Sequence, residues 1–220
     1  MLSDDVIELG QPILAELVDG PYWSGLREGS LPGAALTRFV QQDADFLLPA
    51  FGRAFARCAA YPAAAGHAAL LARCSFETVR SGPRLREAFT ALAPELDLPP
   101  LADEPPAPTT IAYTDTVRAS GSLPATLGVV LPFMWLHIEV CADLATREVA
   151  GSRYLPWIDV YTPGDGTRFA VRAFLGLIDE FGERASANDR AELCGAFRTG
   201  ARYELAFART MTSGRFESVR

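Results

Sequence analysis

The spacing of apolar residues constrains this chain more than any other feature, because they recur every three or four positions along most of its 220 residues. That spacing puts apolar side chains on one face of an α-helix, whereas the strict alternation typical of a half-buried strand is scarce. The pattern therefore predicts an all-α fold. A chain of this length buries roughly 70% of its unfolded surface, which is enough for one domain spanning residues 1–220.

Helix breakers and capping residues divide the chain into predicted helices. The first is expected to begin behind Ser3 as its N-cap and to end near Gly20 and Pro21, and the second to run unbroken from about Pro32 to Ala60. A run of prolines predicts a loop between residues 94 and 108. The other predicted helices cover approximately 64–80, 83–93, 109–119, 122–147, 153–161, 167–184 and 187–213, the last capped by Ser186 or Asn188.

Charge and cysteine spacing exclude several classes of function. The net charge of −7, without a basic cluster, argues against binding to nucleic-acid phosphates. The four cysteines lie far apart with no C-x-x-C pair, so neither a disulfide framework nor a zinc site is expected, and the thiols are predicted to be reduced. The N-terminus lacks the basic start and apolar core of a secretion signal, which favours a cytoplasmic protein.

The hydrophobic content bears on membranes and on assembly. The longest apolar run, residues 123–136, is interrupted by proline and glycine and is shorter than the about 20 residues that span a bilayer. We therefore expect no membrane association. Because 49% of the residues are hydrophobic, part of the apolar surface is expected to be covered by other copies in a homo-oligomer, a tetramer or a dimer.

Three polar residues occupy positions on otherwise apolar helix faces. Asp43 shares a face with apolar residues of the second predicted helix, Glu204 does so in the last one, and His137 does so in the helix over 122–147. A buried carboxylate without a partner costs several kcal/mol, so two of them facing one cavity indicate a ligand site. The alternative is structural: each carboxylate pairs with an arginine such as Arg38 or Arg202, and His137 binds a backbone carbonyl.

A metal or cofactor site is not indicated. The chain has 2 histidines, His67 and His137, and neither follows a glutamate at the three-residue spacing by which helical bundles hold iron. Nucleophile elbows, P-loops and dinucleotide fingerprints are also absent from the sequence. We expect no metal and no cofactor.

Four segments, in a fixed order along the chain, resemble the TenA (thiaminase II) family. They are Gly29-Ser30-Leu31-Pro32 followed by Phe39-Val40-Gln41-Gln42-Asp43 and Phe46-Leu47; Ala112-Tyr113-Thr114; Leu131-Pro132-Phe133-Met134-Trp135-Leu136 followed by Tyr154-Leu155-Pro156-Trp157-Ile158-Asp159-Val160-Tyr161; and Arg202-Tyr203-Glu204-Leu205-Ala206-Phe207. The resemblance implies a heme-oxygenase-like multi-helix bundle that hydrolyses aminopyrimidines in thiamin salvage. The family has also been described as regulatory, which an acidic chain without a DNA-reading motif does not fit.

The resemblance also implies roles for individual residues. Asp43 would bind the pyrimidine and its amino group, and Glu204 would be the general acid/base. Tyr113 and Tyr161 would orient the ring and the acid groups, and Phe207 would pack on the ring.

Three positions depart from the family pattern. Phe133 stands where the better-known branch has a cysteine nucleophile, and Phe46 and His137 stand where tyrosines are common. Catalysis by a thiol at position 133 is thereby excluded, and the chain looks nearer to the branch that lacks this cysteine and acts on amino- and formylamino-pyrimidines. The sequence then predicts hydrolysis by Glu204 and Asp43, with His137 positioning water.

Two other functions stay open from the sequence alone. One is a non-catalytic binding protein for a pyrimidine or another planar metabolite, with Phe46 and Phe133 shaping the altered pocket. The other is an oxygenase or ring-cyclising enzyme on the same scaffold.

Overall fold

The computed structural model describes residues 1–61 and 65–213, and in them the predicted all-α fold is confirmed, since they contain α-helices and one π-helical turn but no strand. The helices are α1 (Leu2–Val18), α2 (Pro21–Glu28), α3 (Gly33–Gln42), α4 (Leu48–Ala59), α5 (Ala65–Leu92), α6 (Pro108–Ala119), α7 (Leu123–Thr146), α8 (Leu155–Tyr161), α9 (Asp165–Arg184) and α10 (Ala187–Ser213), and the π turn is Asp43–Leu47.

The start of α1 and the segment after it differ from the prediction. The helix begins at Leu2, and Ser3 does not cap it; instead the Ser3 hydroxyl and N–H both donate to Asp179 on α9. Helix α2 is not among the predicted helices, because Gly20-Pro21 predicts only the end of α1. Proline is favoured at the first position of a helix, where its missing N–H is not needed, and Pro21 begins α2 in this way.

Two predictions for the middle of the chain were wrong, and the predicted N-cap of the last helix is confirmed. The helix expected over residues 32–60 is divided by the π turn, while the segments expected at 64–80 and 83–93 form one helix, α5, that continues through Pro83. Position 64 lies outside the described residues. The predicted cap of α10 is confirmed at Ser186: its hydroxyl accepts from the N–H of Asp189, whose carboxylate accepts from the Ser186 N–H.

Helices α7 and α10 form the centre of the core and approach closely at two glycines. A Cβ on Gly128 would lie 2.3 Å from the carbonyl oxygen of Leu193, and one on Gly200 would lie 2.8 Å from that of Val129. Helix α7 is long and apolar enough to resemble a membrane span, but 67% of its apolar window is buried inside this fold, as in the core helix of a soluble protein. The close approach fixes the position of α10, which carries Glu204.

The proline-rich segment before α6 is held against α3 by side chains from that helix. Gln42 accepts from the N–H of Ala107 at 2.7 Å and donates to the carbonyl of Pro105, and Gln41 donates to the carbonyl of Glu104. On the other side of the π turn, Gly82 of α5 packs on the backbone of Ala44. The segment that carries Asp43 thus lies between the proline-rich loop, which is hydrogen-bonded to α3, and helix α5.

Candidate active site

A cavity of about 550 Å³ lies among α3, the π turn, α5, α7, α8 and α10. Six of the eight residues predicted for the site line it: Asp43, Phe133, His137, Tyr161, Glu204 and Phe207. The volume falls within the about 300–1,000 Å³ typical of small-molecule sites. The cavity brings together carboxyl groups, an imidazole and aromatic rings that are up to 164 positions apart in the chain, so the fold creates the cluster.

Asp43 stands at the first position of the π turn, and its side chain is buried. Burial, together with the smaller effect of the nearby Glu204 carboxyl, raises the pKa of this carboxyl to about 8. π turns widen a helix locally and are frequent at functional sites. At neutral pH, Asp43 is therefore mainly a neutral acid that can donate one hydrogen bond and accept another.

Glu204 projects into the cavity from α10 and is held by Tyr113 of α6. The Tyr113 hydroxyl donates to Glu204 Oε1 at 2.7 Å. Burial raises the pKa of Glu204 to about 7, and the hydrogen bond from Tyr113 acts in the opposite direction. Glu204 thus has a pKa near the operating pH, where a carboxyl group can both give and take a proton.

Among the described residues, no arginine forms a salt bridge with either carboxylate. Across the described ranges, the salt bridges include neither Asp43 nor Glu204. Arg38, one candidate partner from the sequence, instead donates to the carbonyl of Met211. The structural alternative of two arginine-paired carboxylates therefore does not describe this site.

His137 lies in the cavity wall against Tyr161. Their ring centroids are 4.8 Å apart, and His137 Nε2 is 3.3 Å from the Tyr161 carbonyl oxygen. Burial lowers the pKa of His137, and the hydrogen bond with Tyr161 partly offsets the effect. The ring is then neutral at physiological pH; with Nε2–H donating to the carbonyl, Nδ1 is left as an acceptor.

Aromatic rings form part of the cavity wall. Phe133 stacks on Phe51 with centroids 4.3 Å apart and ring planes at 13°, so an apolar pair fills the position where the better-known branch of the family has a cysteine. Phe207, one helical turn after Glu204, packs against Phe39 at 5.3 Å. A planar ligand could pack between such walls while the carboxyl groups contact its polar edge.

Two predicted residues lie outside the cavity lining. Tyr113 is fully buried behind Glu204, where it orients the carboxyl group. Phe46 is only partly buried and is not among the lining residues. A π turn contains more residues per turn than an α-helix, so positions after Asp43 are rotated away from where regular helical spacing places them.

Trp23 lines the cavity but was not among the predicted site residues. It lies on α2, the helix that the sequence reading missed. The apolar residues Tyr22, Trp23 and Leu26, spaced one and four positions apart after a proline, were the signal that could have identified this helix and its inward face.

The cysteines and the potential metal-binding side chains offer no further chemistry among the described residues. All four cysteines are free, and burial raises the pKa of Cys74, which lines the cavity, to about 11 and that of Cys141 to about 12. Within residues 1–61 and 65–213, no three His, Cys, Asp or Glu side chains come together as a metal site. The groups that line the cavity and can take part in chemistry are carboxyl groups, the Tyr161 phenol, the neutral imidazole of His137 and the guanidinium groups of Arg73 and Arg84.

Comparison with known proteins gives relatives in both sequence and structure, although no protein-family model matches the chain. The aminopyrimidine aminohydrolase of Halalkalibacterium halodurans is 27% identical over 217 residues, which are 91% of this chain and 90% of that protein. The thiamine biosynthesis multifunctional protein ThiED of Corynebacterium efficiens is 26% identical over 157 residues, 70% of this chain but 20% of that much longer protein. The solved TenA homologue of P. horikoshii superposes with a TM-score of 0.79 at 22% identity, over 98% of this chain and 100% of the other.

The fold and the cavity define an all-α protein of the heme-oxygenase-like type with a carboxyl-lined pocket. The resemblance to the TenA (thiaminase II) family, inferred from four sequence segments, is confirmed by these matches.

Proposed function

We propose that this protein hydrolyses an aminopyrimidine, or a formylaminopyrimidine, formed by thiamin degradation, through carboxyl acid/base chemistry without a cysteine nucleophile. The observation that carries the proposal is that Asp43 and Glu204 face one cavity, form no salt bridge with a described arginine, and have pKa values raised to about 8 and about 7. The names of the sequence relatives, an aminopyrimidine aminohydrolase and a thiamine biosynthesis protein, support the substrate class.

Asp43 is suited to recognise the ring. A neutral carboxyl group donates through its O–H and accepts through its carbonyl oxygen, which complements a ring nitrogen next to an exocyclic amine. Phe207 and Tyr161 would hold the ring in the plane that this pairing requires.

Glu204 is suited to the proton transfers. Water supplies the hydroxyl that replaces the amine, the C–N bond breaks, and the amine leaves with a proton from Glu204; the proton lost by water restores the acid. His137, neutral and held by the Tyr161 carbonyl, accepts a hydrogen bond from that water through Nδ1. Phe133 packs on Phe51 and takes no part in the chemistry.

Replacing the proposed acid tests the mechanism directly. Glu204→Gln keeps the shape and removes the titrating group, so kcat should fall by about 10²–10⁴, the range for general acid/base catalysis, while ligand affinity changes little. Turnover of the aminopyrimidine and binding to the same variant would be measured by chromatography and calorimetry. Glu192→Gln, an exposed substitution on the same helix, is the matched control and should match the wild type. Normal turnover by Glu204→Gln would contradict the assignment.

A non-catalytic binding protein is the second candidate, favoured by the Phe133–Phe51 stack in the nucleophile's position. It differs from the first in one result: the wild-type protein would bind the pyrimidine but not convert either substrate.

Assembly and location complete the proposal. Large apolar side chains are exposed on α5 and α9, with Phe76 56% and Phe169 62% exposed, and these would be covered in a homo-oligomer of the kind expected from the composition. We propose in addition that the protein is a homotetramer or a homodimer, that it is located in the cytoplasm, and that it acts without a cofactor.

A further inference from the structure

Helix α6 begins without a capping side chain of its own. Its N-cap, Ala107, makes no side-chain hydrogen bond to the helix, and Pro108, its first residue, has no N–H. Gln42 of α3 holds this end of the helix: its Oε1 accepts from the Ala107 N–H at 2.7 Å, and its Nε2 donates to the Pro105 carbonyl at 3.2 Å. Gln42 is 1% exposed and directly precedes Asp43 in the chain. The start of α6 is therefore joined to the segment that carries Asp43.

Further along α6, two hydrogen bonds join the same helix to α10. Tyr113, six positions after the N-cap, donates to Glu204 at 2.7 Å. Thr109 is hydrogen-bonded to Thr210 at 2.9 Å, and since the Thr210 hydroxyl donates within its own helix, Thr109 is the donor. Helix α6 thus connects the Asp43 segment with the helix that carries Glu204, through residues that do not line the cavity.

Two arginines line the cavity but take no part in this connection. Arg73 and Arg84 lie at exposed positions of α5, and Arg84 forms a salt bridge with Glu77 at 3.5 Å. Among the described residues, neither arginine forms a salt bridge with either carboxyl group of the cavity. Because both arginines stay in place when α3 or α6 is altered, any effect they have on the ligand is common to the variants compared below.

We propose that Gln42 is a positioning residue that sets the separation of Asp43 and Glu204, acting through the start of α6 and the Tyr113 hydroxyl. The inference rests on the proposed function and adds to it how the two acid groups are kept in register. A substrate bound by Asp43 must present its leaving amine to Glu204, and a displacement of about 1 Å can lower a rate by about 10². Gln42 itself contacts no substrate, since it does not line the cavity.

Replacement of Gln42 tests the proposal through kcat and affinity together. Gln42→Met removes both hydrogen bonds and keeps an unbranched side chain. The kcat should fall by about 10–10². The Kd of the pyrimidine alcohol that hydrolysis would yield, measured by calorimetry, should change by less than about threefold, because Asp43 and the aromatic walls remain. A loss of packing alone would lower the melting temperature and leave kcat of the folded protein unchanged.

Gln41→Met is the matched control. Gln41 is also buried on α3, and it donates to the Glu104 carbonyl of the same loop, but it does not contact the start of α6. Its replacement should leave kcat within about twofold of the wild type, because one neutral hydrogen bond away from α6 is lost.

A second pair of variants keeps the test decisive if Gln42→Met does not fold. Thr109→Val removes the hydrogen bond between α6 and α10 and should lower kcat by about fivefold, the equivalent of one hydrogen bond. Thr110→Val is its control, because the buried Thr110 hydroxyl has no hydrogen-bond partner among the described residues; it should keep the wild-type kcat. The losses at Gln42 and Thr109 should both be smaller in a Tyr113→Phe background, where the contact through which they act is already absent.

Crystal structures measure the position itself and need no turnover. The separation of the Asp43 and Glu204 carboxyl groups should change by about 1 Å in Gln42→Met, or in Thr109→Val if the former does not fold, and stay constant in Gln41→Met. An unmoved separation, or equal kcat values for the Gln42 and Gln41 variants, would overturn the role of Gln42 and leave the proposed function standing. Absence of turnover by the wild-type protein would overturn the proposed function, and the measured separation would still decide whether Gln42 positions the two acid groups.

Discussion

The chain buries charged groups in two regions, and it treats them in opposite ways. Beside α2, the guanidinium of Arg27 is buried and donates to Asp143 at 2.6 Å and to the carbonyl of Val18. In the cavity, Asp43 and Glu204 form no salt bridge with any described residue, and burial raises the pKa of both carboxyl groups. The charge of Arg27 is compensated by Asp143, whereas the raised pKa values of Asp43 and Glu204 favour their protonated, uncharged forms.

The difference separates a structural role from a functional one. A buried pair such as Arg27–Asp143 joins α2 to α7 and needs no third molecule to be satisfied. Two carboxyl groups without a salt bridge in a cavity do not stabilise the folded state. Residues that lower the stability of the fold are typical of active sites. The comparison predicts that substitutions in the two regions change stability in opposite directions.

The largest effect is expected at the paired site. Arg27→Met removes the cation and leaves Asp143 with Arg147, which is half-exposed, as its remaining partner. Breaking a buried pair from one side costs about 3–5 kcal/mol, and the residual Arg147 contact favours the lower end. The melting temperature should fall by at least about 6 °C in thermal unfolding at pH 7.

An exposed pair provides the control for that measurement. Arg118 and Asp115 are both more than half exposed, and Arg118→Met should cost less than about 1 kcal/mol. If Arg27→Met unfolded at the wild-type temperature, the pair at α2 would not have the structural role that its burial indicates.

The opposite sign is expected for Asp43→Asn, and it depends on pH. An unfolded aspartate has a pKa of about 3.9, and the folded-state pKa is raised to about 8. The folded state therefore holds the proton more tightly, and its stability falls as pH rises from about 4 to 8. Asparagine removes the ionisation, so the variant should melt several °C above the wild type at pH 9 and at nearly the same temperature at pH 4.

Thermal melts of both proteins from pH 4 to pH 9 measure this gain. Asp159→Asn, an exposed substitution, should show no pH-dependent difference from the wild type. A constant difference for Asp43→Asn at every pH would indicate that the effect arises from packing and not from ionisation.

The same contrast explains how far the sequence could predict the site. Asp43 and Glu204 were identified from helical spacing, because a carboxylate among apolar positions is conspicuous in any helix. The sequence did not predict Arg27 and Trp23, because both lie on α2, whose initial proline also fits the end of the preceding helix. Phe46 was a site candidate through the family resemblance, and no residue in its segment predicts the π turn in which it lies.

Hydrogen-bond partners on different helices could not be predicted from the sequence, for a different reason. That Tyr113 donates to Glu204, 91 positions away, depends on how α6 packs on α10, and spacing within one helix carries no information about this. The resemblance to a known family supplied Tyr113 as a candidate, while the structure supplied the contact through which it acts.

The smallest effect concerns this contact. Tyr113→Phe removes the hydrogen bond that lowers the pKa of Glu204, so the limb of the pH–activity profile governed by Glu204 should move to higher pH by about one unit, equivalent to 1.36 kcal/mol. The profile of kcat/KM against pH measures the shift. Tyr203→Phe is the matched control, because Tyr203 stacks on Tyr113 at 5.0 Å and would keep the stack without its hydroxyl. A lower rate with an unmoved profile would mean that Tyr113 only packs behind Glu204, and the proton held in the cavity would then be controlled by burial alone.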